Sequence, residues 1–167
     1  DPRIGYAYMK AGLGFGGSCL PKDCQALVRI AEDHGQALWL VKAALTVNRM
    51  RPSLAACKIT KGRGKNQRVL VLGLAFKPNT NDIRGSQAVE LVECLLALGV
   101  EVWVYDPFCR VSGLYVRTVK KDEIDTLSFV QPFDAVVIAT EHSVFKDWNL
   151  KAFKCPIVNL WEQPRGE

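Results

Sequence analysis

From Arg68 onward, short apolar runs alternate with stretches of helical periodicity. The first run, RVLVLGLAF, is apolar throughout, the pattern of a strand covered on both faces. A polar loop, KPNTNDIRG, separates it from SQAVELVECLLALG, which predicts a helix with Ser86 as cap and Gly99 as stop. EVWVYDP, FDAVVIATEH and CPIVNL predict three further strands. VRTVKKDEIDTLSFV predicts a short strand and a weak helix, and FKDWNLKAFK another short helix. Strands joined by helices need right-handed crossovers, and those build a parallel sheet.

The first part of the chain reads differently. A loop-rich segment over 1–22, with a helical turn near Tyr6 to Lys10, leads to DCQALVRIAEDHG, where Asp23 reads as a cap and Gly35 as a stop. Ala26, Leu27, Ile30 and Ala31 make one apolar face of that helix. QALWLVKAALTVNRM predicts a second helix, apolar on several sides, which implies cover from a partner subunit or a further domain. Pro52 either ends this helix or opens a short continuation over Ser53 to Ile59. The expected fold class is therefore α/β: a Rossmann-like parallel sheet with flanking helices, preceded by an α-helical segment. The expected division is 1–67 and 68–167.

Composition excludes several classes. No apolar run is long enough for a membrane span, and no leader pattern is visible, so the cytoplasm is the expected compartment. The sequence begins at Asp1 and reads as a fragment or a processed chain. The net charge of +5 is mild and scattered; KGRGKNQR reads as a solvated linker, so no nucleic-acid partner is expected. The six cysteines form no C-x-x-C pair and His34 and His142 stand alone, so no metal site is expected. Cys57 and Cys94 read as small core residues.

Chemistry concentrates at GLGFGGSCLPKD, Gly12 to Asp23. Glycine is costly in a fixed backbone, so four of them ahead of a cysteine imply a segment that something approaches closely. Gly12-x-Gly14-x-x-Gly17 satisfies the dinucleotide spacing, but no buried strand precedes it, and Pro21 and a polar KD follow. A pyrophosphate loop is not expected there. Cys19 near a helix amino end, with Lys22 three residues on, suits a reactive thiol; a buried structural cysteine is the alternative. Phe76, Lys77 and Arg84 lie between a strand and a helix, where open parallel sheets bind ligands. His142 reads as a polar strand end, and His34 as a helix-end group. Either would have to act as base for a Cys19 hydrolase, and nothing in the sequence places them together.

GFGGSCLPKD closely resembles the active-site signature of the nucleotide-sugar dehydrogenases, the UDP-glucose/GDP-mannose dehydrogenase family. DPRIG, LGLAFKPNTNDIRGS and VYDP are similar to further segments of that family, so the resemblance covers nearly the whole chain. It implies oxidation of a nucleotide-sugar C6 alcohol to a carboxylate with NAD, through a cysteine thiohemiacetal and thioester. FKPNT points to UDP-glucose. The resemblance implies that Cys19 is the nucleophile and that Asp23 positions water or a proton. Lys10, Ala11, Gly12, Leu13, Gly14, Phe15 and Gly16 would wrap the nucleotide sugar, and Phe76 and Lys77 would hold the uridine diphosphate. Cys19, Leu20, Pro21, Lys22 and Arg84 would border NAD, and Arg3 would reach a neighbouring substrate across a homodimer formed through the central helix. Three departures stand out. The amino-terminal NAD domain is not among these residues. Gly85 replaces a usual glutamate, which is expected to loosen its loop. The tail NLWEQPRGE lacks the usual D-x-R, leaving Arg165 as a weak substitute. The alternative function is a non-catalytic UDP-sugar-binding and dimerisation module.

Overall fold

In β1 (Arg68–Leu72) alternate side chains enter two different cores. Val69 and Val71 face one helical layer, and Leu70 and Leu72 face the opposite side, all fully buried. This is why the run carries no polar alternation. The structure, a computed structural model, describes residue 3 and residues 10–61, 66–110, 116–124 and 132–161. The calls at Tyr6 to Lys10 (before residue 10), at residues 62–65 of the basic stretch, and at Arg165 lie outside them.

The helices are α1 (Leu20–Asp33), α2 (Trp39–Thr60) and α3 (Gln87–Ala97). The strands after β1 are β2 (Glu101–Tyr105), β3 (Arg117–Thr118), β4 (Ala135–Ile138) and β5 (Ile157–Asn159). All four strand pairings are parallel, in the order β3-β2-β1-β4-β5. The fold is thus the expected parallel α/β sheet. Residues 121–124 make one helical turn, and Ser143–Asp147 and Leu150–Phe153 make two 3-10 turns where one short helix was expected.

α3 starts as its sequence predicts. The Ser86 side chain accepts the Ala88 N–H, and Gly99 follows the last turn at φ 77°. Its Ala88, Leu91, Val92 and Leu95 pack with Val69, Val71, Val102, Val104, Ala135 and Val137 of the sheet and with Ala56 and Ile59 of α2. The other face buries Leu70, Leu72, Trp103, Tyr105, Val136 and Ile138 beneath Val119, Ile124, Phe133, Phe145 and Phe153.

The helical segment corrects two expectations about helix bounds. α1 begins at Leu20, not at Asp23: Cys19 is the N-cap and Pro21 occupies an early position, where its missing N–H costs nothing. α2 runs through Pro52 without stopping, and Pro52 itself is buried. The apolar faces of both helices stay open, with Leu27, Ile30, Trp39, Leu40, Val47, Met50 and Leu54 all half-exposed or more. Cys57 is exposed and Cys94 only partly buried; the buried cysteine is Cys109. Among the described residues, no helix is long and apolar enough to cross a membrane.

Candidate functional site

The sheet's order reverses between β1 and β4, and a ligand crevice forms at the carboxyl ends of strands at such a point. Gly73 marks the spot. Its φ is 86°, and a Cβ there would lie 2.5 Å from the Thr140 backbone oxygen, so only glycine lets the two strand ends approach. The loop that leaves β1 is held from below by a buried carboxylate. Asp106 Oδ2 accepts the N–H groups of Leu74 and Ala75 at 2.6 and 3.2 Å, and its Oδ1 accepts those of Phe108 and Cys109 at 2.8 Å. Burial would raise the Asp106 carboxyl, but His142 and these amides outweigh it and hold the group well below the usual carboxylate range.

His142 corrects its reading as a polar strand end: it is fully buried. Asn79 N–H donates to its Nδ1 at 2.9 Å, and its Nε2 lies 3.0 Å from Asp106 Oδ2. A backbone N–H can only donate, so Nδ1 is bare and Nε2 carries the proton given to Asp106. Asn79 Oδ1 in turn accepts the Ser143 N–H and hydroxyl, each at 3.0 Å. Both ring nitrogens of His142 are committed, and neither is left for a thiol. His34 sits beyond the far end of α1, about 20 Å from Cys19 for a 14-residue helix, where its Nδ1 bonds the Ile30 carbonyl at 2.8 Å. The hydrolase arrangement is therefore not formed.

The glycine loop is docked from several sides. Asn48 of α2 grips Phe15 by both backbone groups, accepting its N–H and donating to its C=O at 2.8 Å each. Arg51 donates to the Gly12 carbonyl. A Cβ on Gly12 would meet the Trp161 ring at 2.2 Å, and one on Gly14 would meet Asn48 Oδ1 at 2.5 Å. The Leu13 side chain is in the core, so only its backbone is available to a ligand. Lys10 pairs with Glu141 at 2.5 Å, and Asn159 bonds the other oxygen of that carboxylate at 2.9 Å. Burial favours the neutral acid, yet Lys10 and Asn159 hold Glu141 below its ordinary value. Lys10 is thus tied to the end of β4, and Ala11 and Arg3 are exposed.

At its far end the glycine loop lies on the β1–α3 loop. Gly17 N–H donates to the Gly85 carbonyl at 3.3 Å, and the Phe76 ring lies where a Gly17 Cβ would be, 2.8 Å away. Lys77 Nζ stands 5.4 Å from the centre of the Phe76 ring. Arg84 makes a bidentate pair with Asp82, with contacts of 2.7 to 3.1 Å, and holds the Asp82 carboxyl down at about 2. Cys19 is exposed at the head of α1, its Sγ 3.7 Å from Ser18 Oγ. Asp23, one turn on, donates its N–H to the Cys19 carbonyl at 2.8 Å, and its carboxylate pairs with Lys22.

Two segments far apart in sequence, one with an exposed cysteine and one with a Phe-Lys and an arginine, thus meet at one edge. The same segments match known proteins. The UDP binding domain of the UDP-glucose/GDP-mannose dehydrogenase family matches residues 70–159, and that family's central domain matches residues 1–50. The chain belongs to the UDP-glucose/GDP-mannose dehydrogenase family. It is 37% identical to the UDP-glucose 6-dehydrogenase TuaD of Bacillus subtilis, over 98% of this chain and 35% of that protein. It is 36% identical to the UDP-glucose 6-dehydrogenase of Rickettsia prowazekii, over 98% and 38%. A solved UDP-glucose dehydrogenase from Pyrobaculum islandicum superposes with a TM-score of 0.84 at 37% identity, covering 97% of this chain and 38% of that one. A ternary complex of GDP-mannose dehydrogenase from Pseudomonas aeruginosa gives 0.79 at 29%, covering 94% and 38%. The chain therefore spans little more than a third of the length of these dehydrogenases.

The residues expected at the site fall in two groups. Gly16, Gly17, Phe76 and Gly85 meet beyond the carboxyl end of β1, with Cys19 and Arg84 next to them in sequence, whereas Lys10 and Gly12 are held near β4, β5 and Trp161. Asp106, Asn79 and Asn48 were not singled out from sequence, and His142 was read only as a polar strand end or a thiol's base, although these residues fix both loops. The Asp in VYDP and the His in TEH each follow a strand, and that shared placement was the available signal.

Proposed function

We propose that this chain is the central and carboxyl-terminal portion of an NAD-dependent nucleotide-sugar 6-dehydrogenase that converts UDP-glucose to UDP-glucuronate. The observation that carries the reading is the docking of Gly16–Gly17 on Phe76 and Gly85, which sets exposed Cys19 beside the nucleotide-sugar loop. In that reading Phe76, Lys77 and the backbone of Lys10 to Gly16 bind the nucleotide sugar, and Arg3 serves the substrate of a partner subunit. Cys19 Sγ adds to the C6 aldehyde. A carbon–sulfur bond forms, and the carbonyl electron pair moves to oxygen, which takes a proton. An aldehyde has no leaving group, so this adduct is what makes the second oxidation accessible. Water then displaces the cysteine from the resulting thioester, the carbon–sulfur bond breaks, and a carboxylate remains. Asp23 orients that water and takes its proton.

The cofactor's contribution, when bound, is to accept hydride at each oxidation. The residues present fit its edge: Leu20 is 49% exposed, and Lys22 and Arg84 supply an open cationic rim suited to a pyrophosphate shared with a further domain. Cys19, Leu20, Pro21, Lys22 and Arg84 would hold it from this side.

The open apolar faces of α1 and α2, with Trp39 at 74% and Leu40 at 87% exposure, support a homodimer through this segment. They equally support the second reading, a UDP-sugar-binding and dimerisation module without turnover. Calorimetry of the 167-residue chain with UDP-glucose and UDP tests what both share: binding that weakens in Phe76→Ala and Lys77→Ala. No heat at millimolar ligand would remove both. NADH formation in the presence of an NAD domain separates them.

A further inference from the structure

Residues 139–142 leave the carboxyl end of β4, and each ties that end to another segment. The Ala139 carbonyl accepts the Trp161 indole N–H at 2.7 Å, the Thr140 hydroxyl donates to the Ala75 carbonyl at 2.7 Å, and His142 bonds Asn79 and Asp106. Glu141 reaches the glycine segment. Its Oε2 accepts from Lys10 Nζ at 2.5 Å, and its Oε1 accepts from Asn159 Nδ2 at 2.9 Å. Asn159 is fixed in turn, because its Oδ1 accepts the Trp161 N–H at 3.0 Å. The Trp161 ring lies against Gly12, whose carbonyl also accepts from Arg51. Lys10 and Gly12, on either side of exposed Ala11, are thus both pinned, the first by a carboxylate and the second by an indole ring. The two pins differ in kind. Gly12 is held through its backbone, whereas Lys10 is held through one ammonium on a flexible stem, which is free to move once the carboxylate is gone. Both oxygens of Glu141 are engaged, so the anion is itself oriented. The Lys10 and Glu141 side chains are 53% and 30% exposed, so the pair is only partly screened by water.

We propose that Glu141 is a positioning residue for nucleotide-sugar binding: by holding Lys10 at the end of β4, it sets the course of the backbone from Lys10 to Gly12 that the ligand meets. The role rests on the preceding section's reading of that backbone as a nucleotide-sugar site. The opposite arrangement has a different signature. If the Lys10 ammonium served the ligand's diphosphate directly, Glu141 would compete for it, and removing the carboxylate would tighten binding. A control is also at hand. Glu32 pairs with Lys42 at the same 2.5 Å and with comparable exposure, but that pair joins α1 to α2 and does not involve the glycine segment.

The test is calorimetry of the 167-residue chain with UDP-glucose, beside thermal unfolding, for the wild type, Glu141→Ala, Lys10→Met, the double variant and Glu32→Ala. Glu141→Ala is expected to weaken binding about fivefold, the upper end of what a partly exposed ion pair contributes. Lys10→Met is expected to weaken it as well, and the double variant no more than the larger single loss, because each change removes the same contact. Glu32→Ala is expected to bind as the wild type does. Unchanged or tighter binding by Glu141→Ala, additive losses in the double variant, or an equal loss in Glu32→Ala would overturn the proposal. Glu141→Gln keeps the shape and removes the charge, which keeps the test decisive if Glu141→Ala does not fold. It is expected to weaken binding, and wild-type affinity overturns the proposal. With the chain joined to an NAD domain, Glu141→Ala is expected to raise KM for UDP-glucose about fivefold with kcat nearly unchanged, and a fall in kcat at constant KM overturns it. A wild-type chain that binds no UDP-glucose sinks the functional reading and this proposal together. A wild-type chain that binds, with variants that match it, sinks the proposal alone.

Discussion

His142 Nε2 donates to Asp106 Oδ2 across 3.0 Å, and neither side chain reaches solvent. The pair lies under the loop that carries Phe76 and Lys77, and it reaches that loop through Leu74, Ala75 and Asn79. Breaking one member of a buried pair leaves the other unsatisfied, which costs more than the pair contributes. Asp106→Ala is therefore expected to lower unfolding free energy by about 3 kcal/mol. Urea denaturation measures it, and a loss under about 0.5 kcal/mol, the size of an ordinary surface change, would contradict the arrangement.

The same carboxylate sets an acid limit. Its folded-state value is depressed, so the unfolded chain takes up the proton first as pH falls. The stability it contributes is fully present above the ordinary aspartate value of about 4 and declines as pH drops below that toward the folded value. Wild-type stability should fall steeply below about pH 4, and Asp106→Asn should show a flatter acid limb. Parallel acid limbs in the two chains would argue that Asp106 is not the controlling group.

Cysteine reactivity should split by site. Burial first, and then the charge of Asp106, push the Cys109 thiol up to about 12, and its Sγ faces the Thr80 carbonyl at 3.7 Å. Native chain treated with iodoacetamide near pH 8 should carry label on Cys19 and none on Cys109. Labelling of Cys109 at the Cys19 rate would mean the β2 end is open in solution.

Glycine positions offer a graded comparison. Gly73→Ala puts a methyl 2.5 Å from the Thr140 backbone at φ 86°, and neither strand end can yield without breaking the sheet. A loss of about 2–3 kcal/mol is expected, combining overpacking with backbone strain. Gly35→Ala, at φ 66° with open space around it, should lose only about 1 kcal/mol. Equal losses in chemical denaturation would mean that the close approach at Gly73 carries no cost.

The sheet was legible because burial on both faces writes itself into sequence: RVLVL has no polar alternation to misread. Ser86 and Gly99 bounded α3 for the same local reason, each satisfying its own helix end. The start of α1 misled because Asp23 is a good cap by type, while the true cap, Cys19, makes no capping bond with its side chain. Pro52 left two outcomes open, a stop or a continuation over Ser53 to Ile59, and the burial of Ala56 and Ile59 with α3 decides for an unbroken helix. The Asp106–His142 pair is separated by 36 residues and becomes adjacent only through the β2-β1-β4 strand order. No local pattern encodes that. The Cys19 loop stood out through its glycines, but what the glycines touch — Trp161, Asn48, Phe76 and Gly85 — could be read only from the fold.

The central claim is that the Cys19 sulfur carries the sugar through its second oxidation. Its most direct measurement is NADH formation from UDP-glucose by this chain joined to an NAD domain of the family, compared with the same protein carrying Cys19→Ala. The account predicts about two NADH per sugar for the wild type and no UDP-glucuronate from the variant. Full turnover to UDP-glucuronate by Cys19→Ala would contradict it.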